Sequence, residues 1–464
     1  MSLKIGLMPL YLELYDEVLE GDKSSAIKSF AELIGTEYEN RNIEVVLVDA
    51  CCTVADSRSA VEKFESAEVD AVVTLHLAYS PSMESVDALA GTELPLVLLD
   101  TTPDYNFGVE QDSDQILFNH GIHGVQDLCN MLIRRGKKFS LEVGHWKESD
   151  ILDRTISVIK GCHAAKELKK ARVGIIGEPF KGMGDFAVPF DVLEHKIGIK
   201  TISANSNDIA KLMPTSNSQE VETETEKDLA VFTRGTCSDE ALNDSEIAGL
   251  GLRCWIEQEN LSAFTMNFGD ITGAPGLPVV PFLEASKAMA RGIGYAGEGD
   301  VLTAAFCGAL ANVIPETTFT EMFCPDWKGN QIFMSHMGEI NIDLTAQSPV
   351  LEQRPYPFSA AGEPVIAAGC LKPGSAWLLN VAPRKDASFS LVAAPVEVCD
   401  TNSNEKIDNC IRGWIKPEMP IIDFLKEYSL NGGTHHCILC YGIDERFVEA
   451  FAKAMNWNCI TIKK

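Results

Sequence analysis

Short apolar runs alternate with amphipathic stretches over the first half of this 464-residue chain, and this alternation is the feature that most limits its fold. A short run rich in Val, Ile and Leu is typical of a buried strand, and the stretches between the runs have helical spacing. Strands joined by helices run parallel, so the pattern predicts a doubly wound parallel sheet. The predicted strands are residues 4–10, 43–48, 71–76 and 94–99, and the predicted helices are 24–37, 57–66 and 82–90.

The rest of the chain divides into a second α/β region and a region rich in strands. After about residue 318, strand-like runs separated by Gly, Pro and Asn clusters follow one another, which favours a small β-barrel or sandwich. The predicted fold class is therefore α/β, with two doubly wound parallel-sheet domains followed by a mainly β C-terminal domain. The expected domains are residues 1–170, 171–318 and 319–464.

Charge excludes several partners. The chain has 39 Lys and Arg against 67 Asp and Glu, a formal net charge of −28, which repels nucleic acid and anionic lipid. No apolar run reaches the ~18 residues that span a bilayer, and the first residues do not have the pattern of a signal peptide. We expect no nucleic-acid or membrane partner, and enough carboxylates to build a divalent-cation site.

The fourteen cysteines are scattered, and many lie inside apolar runs. This usage predicts small core residues of a reduced, cytoplasmic protein. Cys437 and Cys440 form one C-x-x-C pair, but a zinc site needs a second pair at suitable spacing, and there is none. The apolar interior of the motif favours a buried strand.

Residues 292–297 match G-x-G-x-x-G, the pattern of a dinucleotide-binding loop. The motif has that meaning only when a strand precedes it, and here residues 283–291 have a helical pattern. We interpret the motif as a turn between two helices. A second polar segment, residues 216–228, carries alternate carboxylates and is expected to be a solvated loop or helix turn without a function.

Three carboxylates stand where burial is one interpretation of the sequence. Glu298 and Asp300 open a helix, residues 301–313, that is apolar almost all round; they are ordinary helix caps, or they are buried and need a partner or a metal. Glu321 shares a strand face with Phe319 and Phe323. That face is either buried, where a cation must neutralise the carboxylate, or it is a solvent face with two exposed aromatics.

Three histidines complete the candidate set. His336 lies in an apolar strand, where it is a hydrogen-bonded core residue or a ligand. His435 and His436 precede an apolar strand, and if they belong to it they point to opposite faces, so one metal would take only one of them. Two Glu and two His suit Mn²⁺, Co²⁺ or Mg²⁺ better than a structural zinc.

Motifs in the same order make the chain resemble bacterial L-arabinose isomerase and the related L-fucose isomerase-like sugar isomerases. The resemblance extends from Asn-His-Gly-Ile-His-Gly at 119–124, through Phe-Gly-Asp, Pro-Gly-Leu-Pro and Glu-Gly-Asp, to Gly-Gly-Thr-His-His at 432–436. It implies an intramolecular oxidoreductase that interconverts an aldose and a ketose through an enediolate.

The resemblance also implies roles for individual residues. The metal ligands would be Glu298, Glu321, His336 and His436, with Mn²⁺ as the expected ion and Glu298 and Glu321 as the acid–base pair. The remaining matches, Phe268, His123 and His435, would bind substrate. In that family the site lies between subunits, so a homo-oligomer, a trimer or hexamer, is implied, with His123 serving a neighbouring chain.

Departures from the family pattern lie near the pocket. They are Val301-Leu302 after Glu-Gly-Asp, Met322-Phe323 after the second Glu, and residues 8–13 near the start of the chain. The expected substrate is therefore a free pentose or related sugar rather than L-arabinose specifically. The alternatives are a non-catalytic sugar-binding protein with the same fold and a nicotinamide-dependent oxidoreductase.

Overall fold

The computed structural model describes residues 3–18, 23–216, 218–401 and 406–464. The chain forms two compact units, and each is described by itself. Unit 1 consists of Met1–Lys166 and Asp444–Asn456, and unit 2 of Glu167–Ile443 and Trp457–Lys464. The three-domain division stays a prediction.

Unit 1 contains a five-stranded parallel sheet in the order β2-β1-β3-β4-β5. Its strands are β1 Leu3–Leu10, β2 Ile43–Leu47, β3 Ala71–His76, β4 Leu96–Asp100 and β5 Ser140–Val143. Its helices are α1 Leu14–Val18, α2 Lys23–Glu39, α3 Val54–Ser66, α4 Val86–Gly91, α5 Ile116–Asn119, α6 Ile122–Arg134, α7 Ile151–Lys169, which runs into unit 2, and α15 Glu445–Ala454.

Alternation along β1 explains why helices cover both faces of this sheet. Ile5 and Leu7 join the core formed with α2 and α7, whereas Met8 and Leu10 join the core formed with α3, α4 and α6. Successive side chains of a strand point to opposite faces, so a strand that is apolar throughout has to be buried on both. The predicted doubly wound arrangement is confirmed.

Unit 2 begins with a four-stranded parallel sheet in the order β10-β9-β6-β7. The strands of this sheet are β6 Arg172–Ile176, β7 Lys200–Ala204, β9 Ala263–Met266 and β10 Gly294–Gly297. The helices of unit 2 are α8 Phe190–Lys196, α9 Ser206–Ala210, α10 Gln219–Val231, α11 Asp239–Gln258, α12 Phe282–Ala290, α13 Val301–Val313 and α14 Ile421–Leu430.

The remaining strands of unit 2 form a barrel and a small sheet. β15-β18-β11-β12-β17-β16 are paired antiparallel in that order, and β16 also pairs with β15, which closes the ring; β19 adds parallel to β16. A three-stranded sheet has the order β14-β13-β8. The strands are β8 Thr233–Arg234, β11 Thr317–Asp326, β12 Gln331–Ser335, β13 Val350–Gln353, β14 Val365–Ala368, β15 Gly374–Pro383, β16 Phe389–Val398, β17 Gly413–Pro417, β18 His436–Tyr441 and β19 Asn458–Thr461. The mainly β C-terminal region is confirmed.

The acidic segment is a helix, so the loop alternative is wrong, and the helix is buried on one face rather than solvated. α10 starts after Ser218, whose side chain accepts a hydrogen bond from the backbone N–H of Val221. Val221, Glu224 and Asp228 are buried on one face of the helix. The two carboxylates are buried because cations on other helices of unit 2 neutralise them, and the segment itself does not reveal those partners.

The Gly-rich motif also differs from its interpretation, because it joins a helix to a strand. Gly292 has φ 81° just after α12, and the chain then enters β10, which pairs parallel with β9. A Cβ on Gly294 would lie 2.2 Å from the backbone nitrogen of Gly308, so glycine allows β10 to pack closely on α13.

None of the described helices is long and apolar enough to cross a membrane. None of the fourteen cysteines, all of them in the described part of the chain, forms a disulfide. Cys437 and Cys440 lie fully buried in β18, as the buried-strand interpretation requires.

Candidate active site

Strand register in the barrel brings three of the predicted side chains together. Glu321, in the middle of β11, stands opposite His436 on β18 and opposite Ser335 on β12. His336 follows Ser335 directly at the end of β12. Residues from distant parts of the chain therefore become neighbours because β11 lies between the other two strands.

Glu298 enters the same site from the turn between β10 and α13. It has φ 64°, a left-handed conformation that is unusual for a residue other than glycine, and Gly299 follows with φ 83°. The Thr265 hydroxyl of β9 donates to the carbonyl of Gly297 at 3.2 Å and accepts from the N–H of Gly299 at 3.0 Å. These bonds fix a turn that directs the Glu298 side chain into the cluster.

Four side chains can offer ligand atoms that all lie within 4.8 Å of one another: Glu298, Glu321, His435 and His436. His436 Nε2 is 3.0 Å from Glu321 Oε1 and 3.5 Å from Glu298 Oε2. His336 lies beside this group, with its Nε2 3.4 Å from Glu321 Oε1. The structure thus places all four predicted ligands at one site and adds His435 to them.

Three atoms of this cluster are buried without a hydrogen-bond partner among the described residues: Glu298 Oε2, His336 Nε2 and His436 Nε2. Buried polar atoms are normally paired, because leaving one unpaired costs about 1–3 kcal/mol. A divalent cation would satisfy carboxylate oxygens and imidazole nitrogens together. The donor set therefore fits a metal ion.

The histidines keep both carboxylates ionised. Burial opposes ionisation, but the nearby imidazoles of His435 and His436 lower the pKa of Glu298 to about 2. Burial likewise opposes the ionisation of Glu321, and His336 and His436 lower its pKa well below the ordinary value. Both glutamates are anionic at neutral pH, as metal ligands and proton acceptors need to be.

The carboxylates act on the imidazoles in return. Burial favours the neutral ring, but Glu339 and Glu321 raise the pKa of His336 to about 9. Burial also favours the neutral ring of His436, but Asp300, Glu298 and Glu321 raise its pKa well above the ordinary value. The carboxylates therefore create a negative potential at both rings, and such a potential favours any cation bound there.

Aromatic rings enclose the histidines. The Phe186 ring stacks on His436, with centroids 5.0 Å apart and planes at 9°. Phe319 contacts both His336 and His436 edge-on, at 4.8 and 5.0 Å. Phe268 is buried, and its ring centroid lies 6.1 Å from that of His336, so this predicted sugar-binding residue is at the site.

The strand face that carries Glu321 is buried at Phe319 and Glu321 but exposed at Phe323, so each of the two alternatives holds for part of it. Phe319 is 1% exposed and the Glu321 side chain 13% exposed, so the carboxylate points inward. Phe323 is 38% exposed, because the register of β11 against β12 shifts between Met322 and Cys324. A bulge of this kind ends the two-residue alternation that placed all three side chains on one face.

His435 and His436 were expected to point to opposite faces if both belonged to the strand, and that condition is not met. β18 begins at His436, so His435 precedes the strand and strand alternation does not apply to the pair. The two ring centroids are 4.4 Å apart, and His435 Nε2 lies 3.6 Å from Glu298 Oε2. Asp185 holds His435 through its Nδ1 at 2.6 Å and its backbone N–H at 3.0 Å.

His123 belongs to unit 1, where it is exposed near the start of α6. Its ring contacts that of His120. His120 Nε2 in turn forms a 3.0 Å hydrogen bond with the hydroxyl of Tyr15. Its role in sugar binding stays a prediction.

Sequence reasoning did not assign roles to Asp300, Glu339, Asp185 and Phe186, which contact the histidines directly. Asp300 lay within the quoted Glu-Gly-Asp motif, and its burial was anticipated, but its partner was not. Glu339 follows His336 by three residues, a spacing that offers a weak signal at best. The other two lie in a loop far from the histidines in sequence.

A second group of carboxylates, Glu224, Asp228 and Glu246, also lies close enough to hold a metal. Its centre is taken by the ammonium of Lys287, at 2.6 Å from Glu224 Oε1 and 2.7 Å from Asp228 Oδ2. We assign no metal to it.

Comparisons with known proteins agree with this geometry. The family model described as the L-arabinose isomerase central domain matches residues 191–315, and that of the L-arabinose isomerase C-terminal domain matches residues 316–458, together more than half of the chain. L-arabinose isomerase of Shouchella clausii is 24% identical over 98% of this chain and 93% of its own length. That of Geobacillus kaustophilus is 24% identical over 88% of this chain and 84% of its own length.

The fold, the cluster of glutamates and histidines and these matches define an aldose–ketose isomerase, an intramolecular oxidoreductase of sugar metabolism. The chain belongs to the L-arabinose isomerase family.

Similarity to solved structures is too weak to inform either the fold or the function. A periplasmic solute-binding protein of Actinobacillus succinogenes with bound D-allose covers 67% of this chain and 92% of its own, at 14% identity, but its TM-score is 0.18. A likeness of that size supports neither the fold nor the alternative of a non-catalytic sugar-binding protein.

Proposed function

We propose that this protein is a metal-dependent isomerase of a free pentose or related sugar, with Glu298, Glu321, His336 and His436 as metal ligands and Mn²⁺ as the preferred ion. The observation that carries the proposal is the convergence of two anionic carboxylates and two imidazoles whose inward-facing atoms Glu298 Oε2, His336 Nε2 and His436 Nε2 lack hydrogen-bond partners among the described residues. Co²⁺ or Mg²⁺ would suit the same ligands less specifically. When bound, the ion supplies a Lewis acid that polarises the sugar carbonyl and stabilises negative charge on adjacent oxygens.

Glu298 and Glu321 supply the acid–base chemistry of the proposal. Moving hydrogen between C1 and C2 requires a base that removes the C2 proton, giving an enediolate, and a second group that carries the hydroxyl proton. Both carboxylates stay ionised because His435, His436 and His336 lower their pKa values. They reach the site from different elements, Glu298 from the turn before α13 and Glu321 from β11, so they can act at different atoms of one sugar.

Substrate binding is assigned to Phe268, His435 and His123. Phe268 and His435 lie at the cluster, with His435 held by Asp185. His123 would reach the site of a neighbouring chain, which makes the active form a homo-oligomer, a trimer or a pair of trimers. A cytoplasmic location completes the proposal and is supported by fourteen cysteines that form no disulfide in the described residues.

A sugar panel tests the proposal directly. Aldopentoses, 6-deoxyhexoses and hexoses are incubated with metal-stripped protein, with and without added Mn²⁺, and the ketose formed is quantified. We expect ketose from at least one aldopentose or 6-deoxyhexose, only after Mn²⁺ is added. Equal turnover by the stripped protein in the presence of EDTA would overturn metal dependence.

A variant of Glu321 and a matched control test whether this carboxylate is needed for turnover. Glu321→Gln preserves size but removes the anion, so we expect turnover to fall by at least about 100-fold, the lower range for loss of general acid–base catalysis. Glu316→Gln changes a half-exposed carboxylate that immediately precedes the same strand and pairs with Lys372 instead, so it should keep wild-type turnover. If the wild-type protein binds sugars but makes no ketose from any of them, the proposal fails in favour of a binding protein.

A further inference from the structure

Each of the two buried histidines at the site is held by a carboxylate on the side away from the cluster. His436 Nδ1 lies 2.8 Å from Asp300 Oδ2, and both side chains are 0% exposed. The other oxygen of Asp300 accepts a 2.9 Å hydrogen bond from the backbone N–H of Thr303 and so caps α13. Asp300 therefore has both oxygens committed, one to the helix and one to the histidine.

Glu339 makes the corresponding contact with the second histidine. Its Oε2 lies 2.7 Å from His336 Nδ1 and accepts a 2.8 Å hydrogen bond from the N–H of Gly338. Its Oε1 accepts from the hydroxyl of Tyr295, which is fully buried in β10. The short segment from Tyr295 to Asp300 thus supports both carboxylate–histidine pairs and also carries Glu298.

These contacts fix which ring nitrogen carries the proton in a neutral imidazole. An ionised carboxylate only accepts hydrogen bonds, so Nδ1 must be the donor where it faces Asp300 or Glu339. Nε2 also faces a carboxylate, Glu321, but a cation bound by both groups would take the Nε2 lone pair in place of a proton. Nδ1–H on both rings leaves the lone pair on Nε2. Both Nε2 atoms face Glu321 Oε1, at 3.0 Å from His436 and 3.4 Å from His336, and neither has a hydrogen-bond partner in the described part of the chain.

We propose that Asp300 and Glu339 are positioning residues, which hold His436 and His336 in the Nδ1–H form and orient both Nε2 lone pairs toward a divalent cation. This inference rests on the proposed metal dependence. Carboxylates behind metal-binding histidines raise ligand basicity and fix ring orientation, and their loss usually weakens metal binding by about 10- to 100-fold.

Replacing Asp300 or Glu339 by its amide should have different consequences, because the two carboxylates have different hydrogen-bond partners. This difference provides a test. In Asp300→Asn one oxygen remains for two donors, the N–H of Thr303 and the Nδ1–H of His436, so the contact with His436 survives only if the amide donates and Nδ1 accepts. Asparagine is as good an N-cap as aspartate, so the helix start is preserved and the amide NH₂ faces His436, favouring the Nε2–H form. In Glu339→Gln the one remaining oxygen can still accept from both His336 and Gly338, because the amide NH₂ can face Tyr295 and donate to its hydroxyl, which then acts as the acceptor.

Binding of Mn²⁺ alone is measured by calorimetry on metal-stripped wild-type protein and both variants. We expect Kd to rise about 10- to 100-fold in Asp300→Asn and less in Glu339→Gln. Thermal unfolding without metal should be alike in all three, with a reduced Mn²⁺-induced rise in Tm for Asp300→Asn. Absence of Mn²⁺ binding by the wild-type protein would refute the metal site itself, whereas equal Kd values for wild-type and folded Asp300→Asn would refute only the positioning role.

The proton position is also read directly in the wild-type protein. With ¹⁵N-labelled histidine and diamagnetic Zn²⁺ bound, ring spectra should show His336 and His436 protonated at Nδ1 and bound through Nε2. This measurement decides the question even if Asp300→Asn does not fold. Protonation at Nε2 of either ring in the loaded protein would overturn the proposal for that ring.

Discussion

At the scale of single residues, Glu298 combines an unfavourable backbone with a charged, poorly solvated side chain. A left-handed conformation costs a residue other than glycine on the order of 1–3 kcal/mol, and such costs collect at functional sites where the surroundings enforce them. Here Thr265 and Gly299 hold the turn, and the histidines stabilise the anion. The strain is therefore consistent with a position kept for what its carboxylate does.

His435 and His436 should respond differently to removal. His436 is fully buried between Glu321, Glu298 and Asp300, so His436→Ala should remove most of the bound Mn²⁺. His435 is 39% exposed and is held by Asp185, so His435→Ala should retain the metal and raise the KM for sugar, by about 10- to 100-fold. Metal content by mass spectrometry and steady-state kinetics check this. Wild-type metal content in both variants would remove His436 from the ligand set.

At the scale of elements, helices α10, α11 and α12 are joined by a buried network of charges. Arg253 of α11 pairs with Glu224 of α10 and Glu284 of α12, and Lys287 of α12 pairs with Glu224 and Asp228. Lys287 is 7% exposed, so its ammonium is available to these carboxylates and little to water. The network explains why an acidic segment folds as a helix against its neighbours.

Removal of the central cation should be strongly destabilising. Lys287→Met keeps most of the side-chain volume but leaves buried carboxylates without their cation, which costs about 3–5 kcal/mol in the free energy of unfolding. Lys211→Met is the matched control, because Lys211 is 73% exposed where it pairs with Asp208, and exposed pairs contribute about 0–1 kcal/mol. Urea unfolding measures both. A loss below 1 kcal/mol in Lys287→Met would contradict the role of the network.

The same network predicts a pH dependence. Burial raises the pKa of Glu246 to about 9, with Asp228 adding to the effect and Lys287 opposing it. The folded-state pKa lies above that of the unfolded chain, so this group's contribution to stability is complete below pH ~4.5 and is lost as pH rises to about 9. Glu246→Gln cannot ionise and can still donate to Asp228. We expect its Tm to exceed that of wild type by a few degrees at pH 9, with a smaller difference at pH 5; a difference independent of pH would contradict the assignment.

At the scale of the whole molecule, the cluster of glutamates and histidines lies entirely within unit 2, whereas His123 lies in unit 1. The cluster is assembled from β11, β12, β18 and the turn between β10 and α13. These elements belong to the parallel sheet region and to the barrel, so the site depends on both parts of unit 2 folding together. Whether His123 completes the site of its own chain or of another is a question about the assembly.

Mixing two inactive variants answers that question. If His123 serves a neighbouring chain, oligomers reassembled from equal amounts of His123→Ala and Glu321→Gln should recover roughly a quarter of wild-type turnover, because a random quarter of the sites then has both residues intact. Sedimentation of the wild-type protein should show a trimer or hexamer. A monomer that converts sugar, or mixtures that stay inactive after subunit exchange has been verified, would contradict a shared site.

The sequence by itself determined the elements whose side chains follow a local period. Apolar periodicity predicts the parallel strands, the buried helix after Glu298 and the strand from Cys437 to Cys440. The spacing of apolar residues along the chain shows whether one face of an element or all of its faces are buried. The order of motifs also placed Glu298, Glu321, His336 and His436 in one set.

Only the tertiary structure decided what depends on partners distant in the chain. α10 is a helix because Arg253 and Lys287 neutralise its carboxylates, and His435 turns toward Glu298 because β18 starts one residue later. Asp300 and Glu339 acquire their roles through the register that brings β11, β12 and β18 together. The energy of a buried charge is set by the groups around it, and local sequence does not specify those groups.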